Sequence, residues 1–201
     1  MMECALATTL PTLTEQLEEE RALVAAARKD SEAAGRLFDK YYSEIFGYIY
    51  RSTLDRGVTE DLTSNVFLSA FKHLGLFRWR RVPFGAWLYR IATNEIRMHC
   101  RRQKRLAATS SGPISLELPS NVPTAAETLT ASEDYRLLHR ALLQLRDKYR
   151  AVILLRYFEG KSIVEISTIT GRTQGTIKSQ IHRGLEQLQT SLEGLGLRHL
   201  K

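Results

Sequence analysis

Apolar residues recur at three- and four-residue intervals along most of this chain, the spacing of a helix with one buried face. The acids Glu15, Glu18, Glu19 and Glu20 precede Arg21, Arg28 and Lys29, which suits a helix with its negative charges at the positive end of the dipole. A second helix is predicted from about Ser31, with Phe38, Tyr42, Ile45, Phe46 and Ile49 on its apolar face and Arg56-Gly57 at its close. Thr59 then caps a third, with Glu60 and Asp61 in its first turn and Leu62, Val66, Phe67, Ala70, Phe71 and Leu74 buried. The segment from Gly75 to Pro83 breaks the period, and a long helix resumes at Phe84 with Phe84, Trp87, Leu88, Ile91 and Met98 on its packed side. Leu106 to Ser132 has no helical period and holds Gly112, Pro113, Pro119 and Pro123 among Ser, Thr and Ala, as a flexible linker does. Beyond it, Leu138, Leu142, Leu145, Tyr149 and Val152 form one seam, closed by Phe158-Glu159-Gly160. The fold class is therefore all-α, two small helical domains joined by a flexible linker whose surfaces can sit well apart.

Lys161 to Leu188 carries the most specific local signals. Ser162 and Glu165 stand at capping-box spacing, each able to satisfy the other's backbone N–H. Gly171 supplies the left-handed residue that ends a helix at about Thr170, and Thr173 caps the next. In that second helix Ile177, Ile181, Leu185 and Leu188 make one buried stripe. Arg172, Thr173, Gln174, Thr176, Lys178, Ser179, Gln180, His182 and Arg183 are left as donors and acceptors suited to bases and phosphates. Two short helices about a glycine turn form a helix-turn-helix, whose second helix can enter a major groove. An ordinary helical hairpin with a solvated polar face is the alternative.

A second basic footprint lies upstream. Between Lys72 and Arg105 there are ten Lys or Arg against the single acid Glu95, whereas a merely solvated face usually mixes signs. Arg90, Asn94, Arg97 and Arg101 follow one helical stripe, extended by Arg102, and the preceding loop sets Trp79 among Arg78, Arg80 and Arg81. Such a loop can stack and neutralise an unpaired strand; Trp79 equally suits a core position.

The whole chain has 201 residues and a net charge of +7, favouring a polyanionic partner. Cys4 and Cys100 stand far apart with no Cys/His cluster, so neither a disulfide framework nor a zinc site is expected, and a reducing cytoplasm fits. The first residues lack a basic segment followed by an apolar core, and no apolar run is long enough to span a bilayer, so neither an export signal nor a membrane span is expected. The five histidines are scattered without ligand spacing. A nuclease built on Glu60, Asp61 and Glu165 is a weaker reading, since each is better placed as a helix-start residue. An autonomous helix-turn-helix regulator would leave the second basic region unused.

Taken together, these residues resemble the sigma-70 family of RNA polymerase sigma factors, in its extracytoplasmic-function (ECF) type. The resemblance rests on Glu60-Asp61-Leu62 with Val66-Phe67, Pro83-Phe84, Trp87-Leu88, and Ile91-Ala92 with Asn94 before Arg101-Arg102. In the second half it rests on Leu145-Arg146, Leu154-Leu155-Arg156-Tyr157, Glu165-Ile166 and Gly175-Thr176-Ile177-Lys178-Ser179.

The resemblance implies a division into an N-terminal extension (1–27), sigma region 2 (28–105), a linker (106–132), sigma region 4 (133–192) and a tail (193–201). It implies a transcription initiation factor, not an enzyme, with no cofactor or metal. Its partners would be core RNA polymerase, through the β′ clamp helices and β flap, promoter DNA and, as a further candidate, an anti-sigma factor. Glu60, Asp61, Ser64, Asn65, Phe67 and Leu68 would face the polymerase. Arg78, Trp79, Arg80, Arg81, Arg90, Asn94, Arg97, Arg101 and Arg102 would read and melt the −10 element. The recognition-helix set from Arg172 to Arg183 would read the −35 element. Ser64-Asn65, Met98 and Gln180 depart from common family residues, and Gln180 favours adenine where arginine favours guanine. From its charge, the N-terminal acidic helix would shield the basic surface.

Overall fold

The computed structural model describes residues 13–79, 82–109 and 132–195, and eight α-helices lie among them. The first half is α1 (Leu13–Ala26), α2 (Ser31–Thr53), α3 (Arg56–His73) and α4 (Phe84–Thr109); a 3₁₀ turn at Leu74–Leu76 follows α3. The second half is α5 (Ser132–Gln144), α6 (Asp147–Ile153), α7 (Ile163–Thr170) and α8 (Gln174–Gly194), with a π-helical turn at Leu154–Phe158 after α6. Residues 1–12, the linker stretch 110–131 and the tail 196–201 lie outside the described residues, as do Arg80 and Arg81.

Local chemistry fixes the boundaries. Asp30 caps α2 by accepting from the Glu32 N–H at 2.9 Å. The predicted close of α2 at Arg56-Gly57 and the predicted cap at Thr59 both fall late. Leu54 ends α2 in a left-handed conformation at φ 53°, and Asp55 caps α3, accepting from the Val58 N–H at 2.9 Å. The charged acceptor outcompetes the threonine. Thr59 is instead buried inside the helix, its hydroxyl donating to the Asp55 carbonyl at 2.6 Å.

Leu37, Ile45, Ile49, Val66, Ala70, Leu88 and Ala92 interlock α2, α3 and α4 with essentially no exposure, at roughly 1.5–3 kcal/mol for each larger side chain. Phe67 anchors an aromatic cluster, 4.7 Å from Phe38 and 6.1 Å from Phe71. α1 packs on α2 through Val24 and through Glu20, which accepts a short hydrogen bond from Tyr41. Glu20 is thus turned inward against α2; Glu18 and Glu19 are exposed.

In the second half the predicted single seam is two helices. The chain turns at Leu145-Arg146, and α6 restarts so that Tyr149, Val152 and Ile153 meet α8. Gly184 makes that meeting possible, because a Cβ there would lie 3.0 Å from Ile153 and 3.4 Å from the Tyr149 Cβ. The buried face of α8 therefore passes through Ile177 and Gly184, while Leu185, expected in the stripe, is 40% exposed. In α4, Met98 is likewise 54% exposed, and Ile96 takes the inward position.

The two halves pack against each other. α4 lies along α7, α2 meets α5 and the π-helical turn, and one apolar core runs from Tyr48 and Tyr89 through to Ile166 and Ile177. α4 also continues to Thr109, past the expected boundary at Arg105. The surfaces expected to sit well apart are here adjacent.

Candidate nucleic-acid interface

The helix-turn-helix forms as its local chemistry dictates. Glu165 accepts from the Ser162 N–H at 2.8 Å and Ser162 accepts from the Glu165 N–H at 3.2 Å, closing the capping box. Gly171 ends α7 at φ 68°, and its N–H bonds the Ser167 carbonyl at 2.9 Å. Thr173 caps α8 through the Thr176 N–H at 3.3 Å.

Ile166, Ile169 and Ile177 pull both helices onto the core, which leaves Thr173, Gln174, Thr176, Lys178, Ser179, His182 and Arg183 exposed in the first three turns of α8. Arg172 and Gln180 are half-buried and bonded to each other, Arg172 Nη1 donating to Gln180 Oε1 at 2.6 Å. That bond occupies the amide oxygen with which Gln180 would read an adenine.

On α4, Arg90, Asn94, Arg101 and Arg102 are exposed and Arg97 is half-buried. Burial, followed by the nearby Arg172, lowers the Arg97 pKa from its usual value. Arg78 is exposed, while Trp79 sits half-buried with its ring edge-on to Phe77 at 5.9 Å. Arg28 fixes the same loop from below, donating to the Phe77 carbonyl at 2.7 Å. Trp79 is thus partly buried against the core, with the rest of its indole exposed.

A third surface runs along α3. Glu60, Asp61, Ser64, Asn65 and Leu68 share an exposed face, and Leu68 is 68% exposed, a large apolar side chain without cover. Phe67 departs from the predicted set: at 3% exposure it supports this face from inside. Glu60 bonds Arg56 Nε at 2.9 Å, and Glu165 is committed to its capping box, so two of the three carboxylates of the nuclease reading are separately engaged.

Two features escaped the sequence reading. Tyr157, Ile163, Ile181 and Leu185 line a groove of about 510 Å³ on the second half, rimmed by Arg156 and Lys178. A polar clasp also joins the halves: Glu159, nearly buried, pairs with Arg51 from α2 and accepts from Tyr89 of α4 at 2.7 Å. The π-helical turn, closed by the Glu159 N–H to the Leu154 carbonyl at 3.1 Å, aims the carboxylate at these partners. The only foretaste in the sequence was an acid between Phe158 and Gly160 at the end of an apolar run.

The described residues thus present two exposed polar and basic surfaces, on α4 and α8, and on α3 a separate acidic face with an uncovered leucine. Two family models match the chain: Sigma-70 region 2 over residues 37–106 and Sigma-70, region 4 over residues 135–188. The ECF RNA polymerase sigma factor SigW of Bacillus subtilis is 32% identical over 173 residues, 83% of this chain and 92% of that protein. The ECF sigma factor BldN of Streptomyces coelicolor is 29% identical over 79% of this chain, which spans 60% of that longer protein. Among solved structures, the sigma factor RpoE in complex with the anti-sigma factor NepR from Bartonella quintana shares the fold. That likeness has a TM-score of 0.61 and 23% identity, and covers 90% of this chain and 98% of that one. The chain belongs to the sigma-70 family, in its ECF branch, and is a sigma factor of transcription initiation.

Proposed function

We infer that this sigma factor binds core RNA polymerase through the exposed face of α3 and reads promoter DNA through α4 and α8. The observation that carries the reading is the division of labour between faces: α8 offers polar side chains in a major-groove geometry, and α3 offers acids beside an uncovered leucine.

Lys178 and Arg183 would hold phosphates and Gln174, Thr176 and Ser179 would meet bases of the −35 element. The α4 stripe with Trp79 would hold the opened −10 strand, where stacking and charge offset unstacking costs of a few kcal/mol. No side chain here is assigned a catalytic role; the chemistry of RNA synthesis rests with the polymerase. The apolar groove beside α8 fits the β flap, and an anti-sigma factor is a further partner of the class bound by the RpoE relative.

No helix among the described residues is long and apolar enough to cross a membrane, and a cytoplasmic site of action fits that partner set. The test is run-off transcription with purified core polymerase on a promoter library. Selective initiation that Leu68→Glu abolishes and Lys178→Ala weakens supports the reading, and selective duplex binding without any polymerase would replace it with the autonomous regulator.

A further inference from the structure

Where the two halves meet, Arg97, Arg101 and Lys104 from α4 face Arg146, Lys148 and Arg172 across a cleft of about 360 Å³. Its one acid, Asp147, is already shared between Lys104 at 2.7 Å and Arg150 at 3.1 Å. No ion pair reaches Arg97, Arg101, Arg146, Lys148 or Arg172 among the described residues. Arg97 Nη2 is moreover buried in the protein without any hydrogen-bond partner, a position that costs free energy unless an acceptor arrives.

We propose that this inter-domain cleft binds a small anion with a chain of two or more phosphates, and that the ligand clamps region 4 onto region 2. Guanidinium forks from both halves match phosphate oxygens in pairs, and a multiply charged chain neutralises what a single carboxylate cannot. The volume suits a nucleotide-sized molecule and excludes a duplex, whose major groove alone is about 12 Å wide. Because the six cations converge only when the halves are packed, the ligand stabilises that arrangement by mass action. Arg97, Arg101 and Arg172 also belong to the DNA-reading sets, so an occupied cleft withholds them from a promoter.

The test is isothermal titration of the full-length protein at constant ionic strength, with inorganic tripolyphosphate and with ATP. One saturable site is expected, weakened about tenfold or more in the R146Q/K148Q double variant and kept within about threefold in the charge-preserving R146K/K148R pair. The second pair separates loss of charge from loss of fold. Tighter binding of ATP than of tripolyphosphate assigns a base contact and hence a nucleotide. Equal or weaker binding assigns the phosphate chain alone. Absence of a saturable site, or equal affinity in the R146Q/K148Q variant, overturns the proposal.

Discussion

Tyr89 donates its phenolic hydrogen to Glu159 at 2.7 Å across 70 residues of sequence, and so ties the long helix of region 2 to the turn that enters the helix-turn-helix. Glu159 also pairs with Arg51, whose guanidinium lies 5.9 Å from the Phe158 ring. Lys161 completes the joint, its ammonium 4.6 Å from the Tyr89 ring centre. Burial and the carboxylate together drive the Tyr89 pKa far above its ordinary value, so the phenol stays a donor.

Removing Glu159 leaves a half-buried guanidinium and a buried phenol without their acceptor. The Glu159→Ala variant is expected to lose roughly 2–4 kcal/mol of docking free energy and Tyr89→Phe about 1 kcal/mol. Small-angle scattering on the free protein is the check: a larger radius of gyration for Glu159→Ala, an intermediate one for Tyr89→Phe. Identical radii would mean that the clasp holds nothing.

His139 gives the same joint a pH dependence. It is 2% exposed, with neither ring nitrogen hydrogen-bonded, and lies 4.1 Å from Tyr135 and 6.3 Å from Phe158 between ring centres. Burial first, then Arg51, lowers its pKa from 6.5 to about 4. Below pH 6.5 the unfolded chain takes up a proton that the folded one refuses until about pH 4, so stability falls across that window as pH drops. The loss is expected to reach roughly 1–3 kcal/mol. Urea denaturation at several pH values checks it, and His139→Leu should flatten this part of the profile.

The turn of the helix-turn-helix depends on Gly171 at φ 68°, with open space where an added methyl would stand. Backbone strain alone therefore sets the cost of Gly171→Ala, about 1 kcal/mol. Thermal melting should show a modest loss, and a neutral or raised Tm would contradict the assignment.

Gln180 is held by Arg172 at 2.6 Å. Substituting arginine at this position should release Arg172 and introduce a preference for guanine in the −35 element, by roughly 1–3 kcal/mol. Selection from a randomised −35 library reads the change; an unaltered preference would show that Gln180 does not face a base.

What could be read in advance was what neighbours in sequence decide. Ser162 with Glu165, and Gly171 before Thr173, are short-range devices, and the structure realises each at its predicted residue. Where two local signals competed, the outcome was less legible: Asp55 took the cap that Thr59 was expected to supply. Leu185 and Met98 had the right period but the wrong face, because contact of Gly184 with Ile153 and of Ile96 with the core sets the rotation of each helix. Glu159 was invisible as a clasp, since its partner Arg51 stands 108 residues away. Likewise the basic surfaces were legible as charge, but only the packed halves bring Arg97 near Arg172 in one cleft.

The most direct measurement is fluorescence anisotropy of labelled promoter-library DNA with the purified protein, in the presence and absence of bacterial core RNA polymerase. Tight binding to the core, with sequence-selective DNA binding only in that complex, is the predicted result. Selective duplex binding by the free protein, with no affinity for the core, would contradict it.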